Sequence, residues 1–272
     1  MLLGFAESFF AWLASTYVPA LLGLLFALLV GKFLKLGYFL AFSLGILSWV
    51  FVDVIGDSGN LDVNASFSGG WEQVIIVALF AIGFIGFIAL DRSTFSPDAS
   101  QNGGLLIPIL IAVAVGIHGL GEGSAFADVA ATTPITSLVT AFGGEAAGAA
   151  YVLHKFLESM VIGACWLMST EGRPLGAFLR VRNAVLLTLA FTLPSIVAMG
   201  TGYYIAWDAS YYYALGTGSI LYAILKLAGP LFTRYRVVGT SGSLKTGAWL
   251  LAGLLCVYVA ALLHSYLPAG LG

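Results

Sequence analysis

Charge is what this chain has least of. Only 9% of its 272 residues are Asp, Glu, Lys or Arg, against roughly 25% in a soluble domain, too few to cover a water-facing globule or to keep a chain disordered. A basic excess is missing as well. Its 11 Lys and Arg stand against 13 Asp and Glu for a net charge of −2, which leaves no electrostatic footprint for nucleic acid. Two cysteines are too few for a secreted disulfide scaffold; Cys165 and Cys256 lie in apolar runs and read as core thiols. What fills the chain is apolar: 60% of residues, with a mean hydropathy of +1.00.

Eight apolar runs, over 8–30, 37–56, 73–90, 105–129, 142–168, 183–206, 211–232 and 246–267, are each long enough to cross a hydrocarbon core. None shows the alternating polar period of a barrel strand. The expectation is an all-α integral membrane protein: eight transmembrane helices in one transport domain over 1–272. No Lys or Arg precedes the first run, so it reads as a helix rather than a signal peptide.

The basic residues set the expected orientation. Lys32 and Lys35 follow helix 1, and Arg92 follows helix 3. Arg173, Arg180 and Arg182 follow helix 5, and Arg234, Arg236 and Lys245 follow helix 7. The other loops hold Asp57, Asp62, Glu72 and Asp208 but no Lys or Arg. By the positive-inside rule the basic loops are cytoplasmic and both termini lie outside, in a plasma (cytoplasmic) membrane. Two basic residues remain inside spans. Lys226 reads as a snorkelling side chain near the cytoplasmic end of helix 7; Lys155 lies deeper. Gly45, Trp49 and Asp53 in helix 2 recur at the same offsets as Gly218, Tyr222 and Lys226 in helix 7. That points to an inverted repeat relating helices 1–3 to helices 6–8.

Ionisable groups at mid-membrane are functional candidates by default. Helix 4 carries His118 and Glu122, and helix 5 carries His154 and Glu158. In each pair the i,i+4 spacing places imidazole and carboxylate on one face. Consecutive antiparallel helices can bring the two faces together, and mixed N/O ligation suits Zn²⁺, Fe²⁺, Mn²⁺ or Cd²⁺. Depth sets a condition. From a turn at Pro134 the helix 4 pair lies about 20 Å deep, and the helix 5 pair would lie about 34 Å deep. They meet only if 131–142 does not extend helix 5, which Pro134 and Gly143-Gly144 permit.

The segments His118-Gly-Leu-Gly-Glu122-Gly123 and His154-Lys-Phe-Leu-Glu158-Ser159 resemble the helix 4 and helix 5 signatures of the ZIP (Zrt/Irt-like) divalent metal transporters. Ala41-Phe-Ser-Leu-Gly45 and Gly218-Ser-Ile-Leu-Tyr222 resemble that family more loosely. The resemblance implies eight helices with both termini outside, and His118, Glu122, His154 and Glu158 as ligands of the transport site. The chain departs from the family pattern at Gly119, where Asn is common, and at Gly121 and Leu157, where prolines are frequent. Leu193 stands before Pro194 in place of a carboxylate. With those groups missing the expectation is a single metal, with Lys155 occupying or shielding the second place.

The expected function is passage of a divalent transition metal towards the cytoplasm, Zn²⁺ first, with the metal as substrate rather than cofactor and no enzymatic activity. The alternative is an intramembrane metal-dependent hydrolase in which Glu122 or Glu158 serves as base. Asp53, Asp57, Asp128 and Glu145 are placed to attract cations at an entrance. His264 reads as an interfacial residue, and Asn64-Ala-Ser66 is a glycosylation sequon. The small-residue run 143–150 suits close packing, within the chain or between the protomers of a homodimer.

Overall fold

With no water to satisfy the backbone, a chain this apolar must close its hydrogen bonds within each segment, and helices do so. The computed structural model describes residues 4–58, 70–91, 104–132, 142–171, 176–205, 208–236 and 239–265. Those residues are 89% helical and contain no strand. The helices are α1 (Phe5–Val30), α2 (Leu36–Ser58), α3 (Gly70–Leu90), α4 in two pieces, α4a (Leu106–Gly116) and α4b (Gly119–Thr132), α5 (Glu145–Ser169), α6 (Ala177–Gly202), α7 (Ala209–Thr233) and α8 (Thr240–Ser265). With α4 taken as one span, eight helices among the described residues are long and apolar enough to cross a membrane.

Two expected boundaries move. α6 begins at Ala177 rather than 183, and α8 at Thr240 rather than 246. Arg180, Arg182 and Lys245 therefore lie on helices, not in loops. Charged side chains end an apolar run, but Arg and Lys are good helix formers and their stems continue the helix past the hydrocarbon edge. Cys165 is buried as expected, whereas Cys256 is exposed on α8, which presents most of its surface outward. Asp62, Arg92, Pro134, Arg173, the sequon at Asn64 and the side chain of His264 lie outside the described residues.

The helices pack as two groups. In one, α5 and α6 pack against α1, α6 against both pieces of α4 and α5 against α4a; in the other, α2 packs on α8 and α7, and α7 on α3. The groups join where α5 meets α2 and α8, and where α7 meets both pieces of α4. Glycines set the closest approaches in the second group. A Cβ on Gly45 would strike the Leu250 carbonyl, and one on Gly253 the Phe42 carbonyl. At the α7–α3 contact Gly218 faces the Phe80 carbonyl and Gly83 the Leu215 carbonyl.

Lys226 does not snorkel. Its Nζ lies 2.7 Å from Asp91 Oδ2, and the Tyr222 hydroxyl donates to the same oxygen at 2.9 Å. All three residues are buried. An ion pair in reach inside the protein outweighs extension to the interface, and removing one partner of such a pair costs about 3–5 kcal/mol. Lys226→Met is therefore expected to lower the thermal midpoint sharply, and Asp91→Leu combined with Lys226→Met to regain most of it. A single variant as stable as the parent would show that the pair carries no such weight.

Candidate metal centre

The site begins with a fault in a helix. α4 stops at Gly116 and restarts at Gly119, leaving Ile117 and His118 between. The Leu120 N–H bonds the Ile117 carbonyl at 3.0 Å and the Gly121 N–H bonds the His118 carbonyl at 2.9 Å, the three-residue spacing of a tightened turn. Gly116, Gly119, Gly121 and Gly123 crowd this stretch, and glycine is the weakest helix former after proline. Two carbonyls from the first piece find side-chain donors. Ser219 Oγ on α7 donates to Ala114 O at 2.6 Å, and His118 Nδ1 to Val115 O. Such a break is tolerated at membrane depth when neighbours satisfy the freed backbone in this way. The continuous helix expected over 105–129 is corrected accordingly: hydropathy runs unbroken through the interruption.

The depth condition is met from the other side. α5 starts at Glu145, behind Gly143 and Gly144 with φ of +83° and +113°, a region that glycine enters without strain. The helix does not run back towards Pro134, and the two His-x-x-x-Glu faces arrive at one level.

The four expected ligands converge. His118 Nε2 lies 2.9 Å from Glu158 Oε1 and 3.6 Å from Glu122 Oε1, and His154 Nε2 lies 3.2 Å from Glu158 Oε1. Donor atoms of His118, Glu122 and His154 all fall within 4.8 Å of one another; to share a tetrahedral Zn²⁺ with bonds of about 2.0–2.2 Å they would close to a mutual spacing of about 3.4 Å. His118 and Glu158 are buried at 1% side-chain exposure, whereas Glu122 and His154 keep 15%, so the centre opens on their side. Because Nδ1 of His118 faces a backbone carbonyl, its Nε2 faces the centre, the arrangement that orients metal-binding imidazoles. Glu158 Oε1 is buried between the two imidazole nitrogens. Carboxylate and imidazole atoms converge there, a donor set that suits a divalent transition-metal cation.

Lys155 supplies a cation already. Its Nζ lies 2.6 Å from Glu122 Oε2, 2.8 Å from Glu158 Oε2 and 3.1 Å from His118 Nε2. The rings of Tyr151 and Phe191 stand 5.6 Å and 5.4 Å away, within cation–π range. Asp53 and Asp57 lie one turn apart on α2. Asp128 and Glu145 are exposed on α4b and at the start of α5 and do not join the centre.

Sequence reasoning missed two supports. Ser219 holds the broken helix, and Gly216 lets α7 press against it: a Cβ there would fall 2.6 Å from His118 Cα. A glycine in a membrane helix with no turn to make is the available signal. Gly216→Val should displace His118 and weaken metal binding at least about tenfold, since misplaced ligand supports cost that much. Gly229→Val, which meets open space on the same helix, should leave binding unchanged in the same calorimetric titration. Equal effects would remove the positioning role.

Comparison with protein-family models and with characterised proteins returns no match for this chain.

Proposed function

We propose that this protein moves divalent transition-metal cations, Zn²⁺ first and Fe²⁺, Mn²⁺ or Cd²⁺ as further candidates, through one site between α4 and α5. His118, Glu122, His154 and Glu158 are the ligands. The observation that carries the reading is the convergence of His118, Glu122, His154 and Glu158, with Glu158 Oε1 buried between two imidazole nitrogens, in a chain with eight membrane-length helices among its described residues. The likeness of both His-Glu segments to those of ZIP transporters supports it. Imidazole ligands favour such ions over Mg²⁺ and Ca²⁺, which prefer all-oxygen shells. The alternative, an intramembrane metal-dependent hydrolase, would draw its base from Glu122 or Glu158, each of which has one carboxylate oxygen on Lys155.

The direction proposed is inward, with the basic loops cytoplasmic and both termini outside. At an inside-negative 100 mV two charges moving inward gain about 4.6 kcal/mol. Glycine contacts support the inverted repeat. Gly45 and Gly253 seat α2 on α8 through Phe42 and Leu250, and Gly218 and Gly83 seat α7 on α3 through Leu215 and Phe80. The offset of three residues is the same in all four helices. An inverted repeat favours rocking of one helix group against the other.

The test is uptake of ⁶⁵Zn or Cd²⁺ into liposomes holding the purified protein. Saturable uptake lost in His154→Ala is expected; metal binding without flux would overturn transport. Imidazole must be neutral to bind metal, so flux should fall on acidification to pH 5. A flat profile would exclude histidine ligation.

A further inference from the structure

A second site lies at the opposite end of α5. Where α1 and α5 end and α6 begins, a groove of about 510 Å³ runs between them. Leu25, Leu28 and Leu29 line one wall, and Lys32 and Arg180 lie at its polar end. Leu25 and Leu29 are 41% and 47% exposed, so the groove opens sideways, where a membrane-crossing chain meets lipid. Neither Lys32 nor Arg180 is paired with a carboxylate among the described residues. Glu171, the one acid in the lining, is engaged elsewhere: its Oε2 lies 2.9 Å from Arg234 and accepts from the Tyr235 hydroxyl at 2.5 Å. The Trp166 indole N–H is buried in the wall without an acceptor among the described residues.

We infer that this groove is a binding site for an anionic glycerophospholipid, its phosphate between Lys32 and Arg180 and an acyl chain along the leucines. Two unpaired cations above an apolar slot match a ligand with a negative head and a hydrocarbon tail, and basic pockets between membrane helices select such headgroups. A zwitterionic lipid fits the slot equally but brings no net charge to the cations. The inference rests only on the chain crossing a membrane and needs neither metal nor flux, so its failure would leave the transport reading standing.

The experiment is native mass spectrometry of the protein extracted from bilayers with equal phosphatidylglycerol and phosphatidylcholine. The parent should retain phosphatidylglycerol preferentially. The double variant Lys32→Ala/Arg180→Ala, altering two exposed side chains, should lose that preference on the order of tenfold. Lys245→Ala, a cation outside the groove lining, should keep it. Leu28→Trp should reduce retention with both cations in place. Excess inorganic phosphate should not displace the lipid. Equal retention of both lipids by the parent, or an unchanged preference in the double variant, would overturn the site. Release by phosphate alone would overturn the lipid in favour of a soluble anion.

Discussion

Glu158→Gln is expected to abolish metal uptake and to lower Zn²⁺ affinity by at least about a hundredfold, more than loss of an outer support costs. The substitution keeps shape and volume and removes one charge. Glu158 is the residue at which both histidines and the lysine meet: His118 and His154 approach one oxygen and Lys155 bonds the other. Without its charge an arriving dication faces one carboxylate instead of two, in surroundings where a buried charge is expensive. Isothermal titration on detergent-solubilised protein reads the affinity, and liposome uptake reads the flux. A variant that binds and transports as the parent does would move the metal away from this centre.

Lys155→Met is expected to act in the opposite direction on affinity. Removing the ammonium leaves Glu122 and Glu158 facing each other without a counter-charge, and an uncompensated buried charge costs about 3–5 kcal/mol. The metal-free variant should therefore melt below the parent. Zn²⁺ replaces the missing positive charge and no longer competes with one already present. The metal-induced rise in thermal midpoint should exceed that of the parent, with affinity at least about tenfold tighter. A variant as stable as the parent and no more responsive to Zn²⁺ would show that Lys155 is a bystander.

How much of this was legible beforehand depended on the range of the interaction. The pairs His118/Glu122 and His154/Glu158 follow from a four-residue spacing, and their convergence needed only the Gly143-Gly144 start of α5, visible as two adjacent glycines. The spans were legible because apolar composition decides them. The fault at Ile117-His118 was not, since both residues sit in an apolar stretch and the donor from Ser219 comes from a helix 105 residues away. Asp91 stands just past α3, where a charge ordinarily marks the end of a span, and its bond to Lys226 depends on how α3 meets α7. Arg180 and Arg182 belong to α6 but fall outside its apolar run, because hydropathy breaks off where a charged stem begins.

Lys155 has an electrical consequence for the transport cycle proposed above. With neutral imidazoles, the empty centre holds two carboxylates and one ammonium, a net charge of −1; a bound dication makes it +1. To the extent that the centre moves through the field, an inside-negative potential then assists the inward passage of the loaded centre and the outward return of the empty one equally, by at most about 2.3 kcal/mol each per 100 mV. Without the lysine those states would be −2 and 0, and all the voltage sensitivity would fall on the return step. The tethered ammonium divides the membrane's work evenly between the two halves of the cycle.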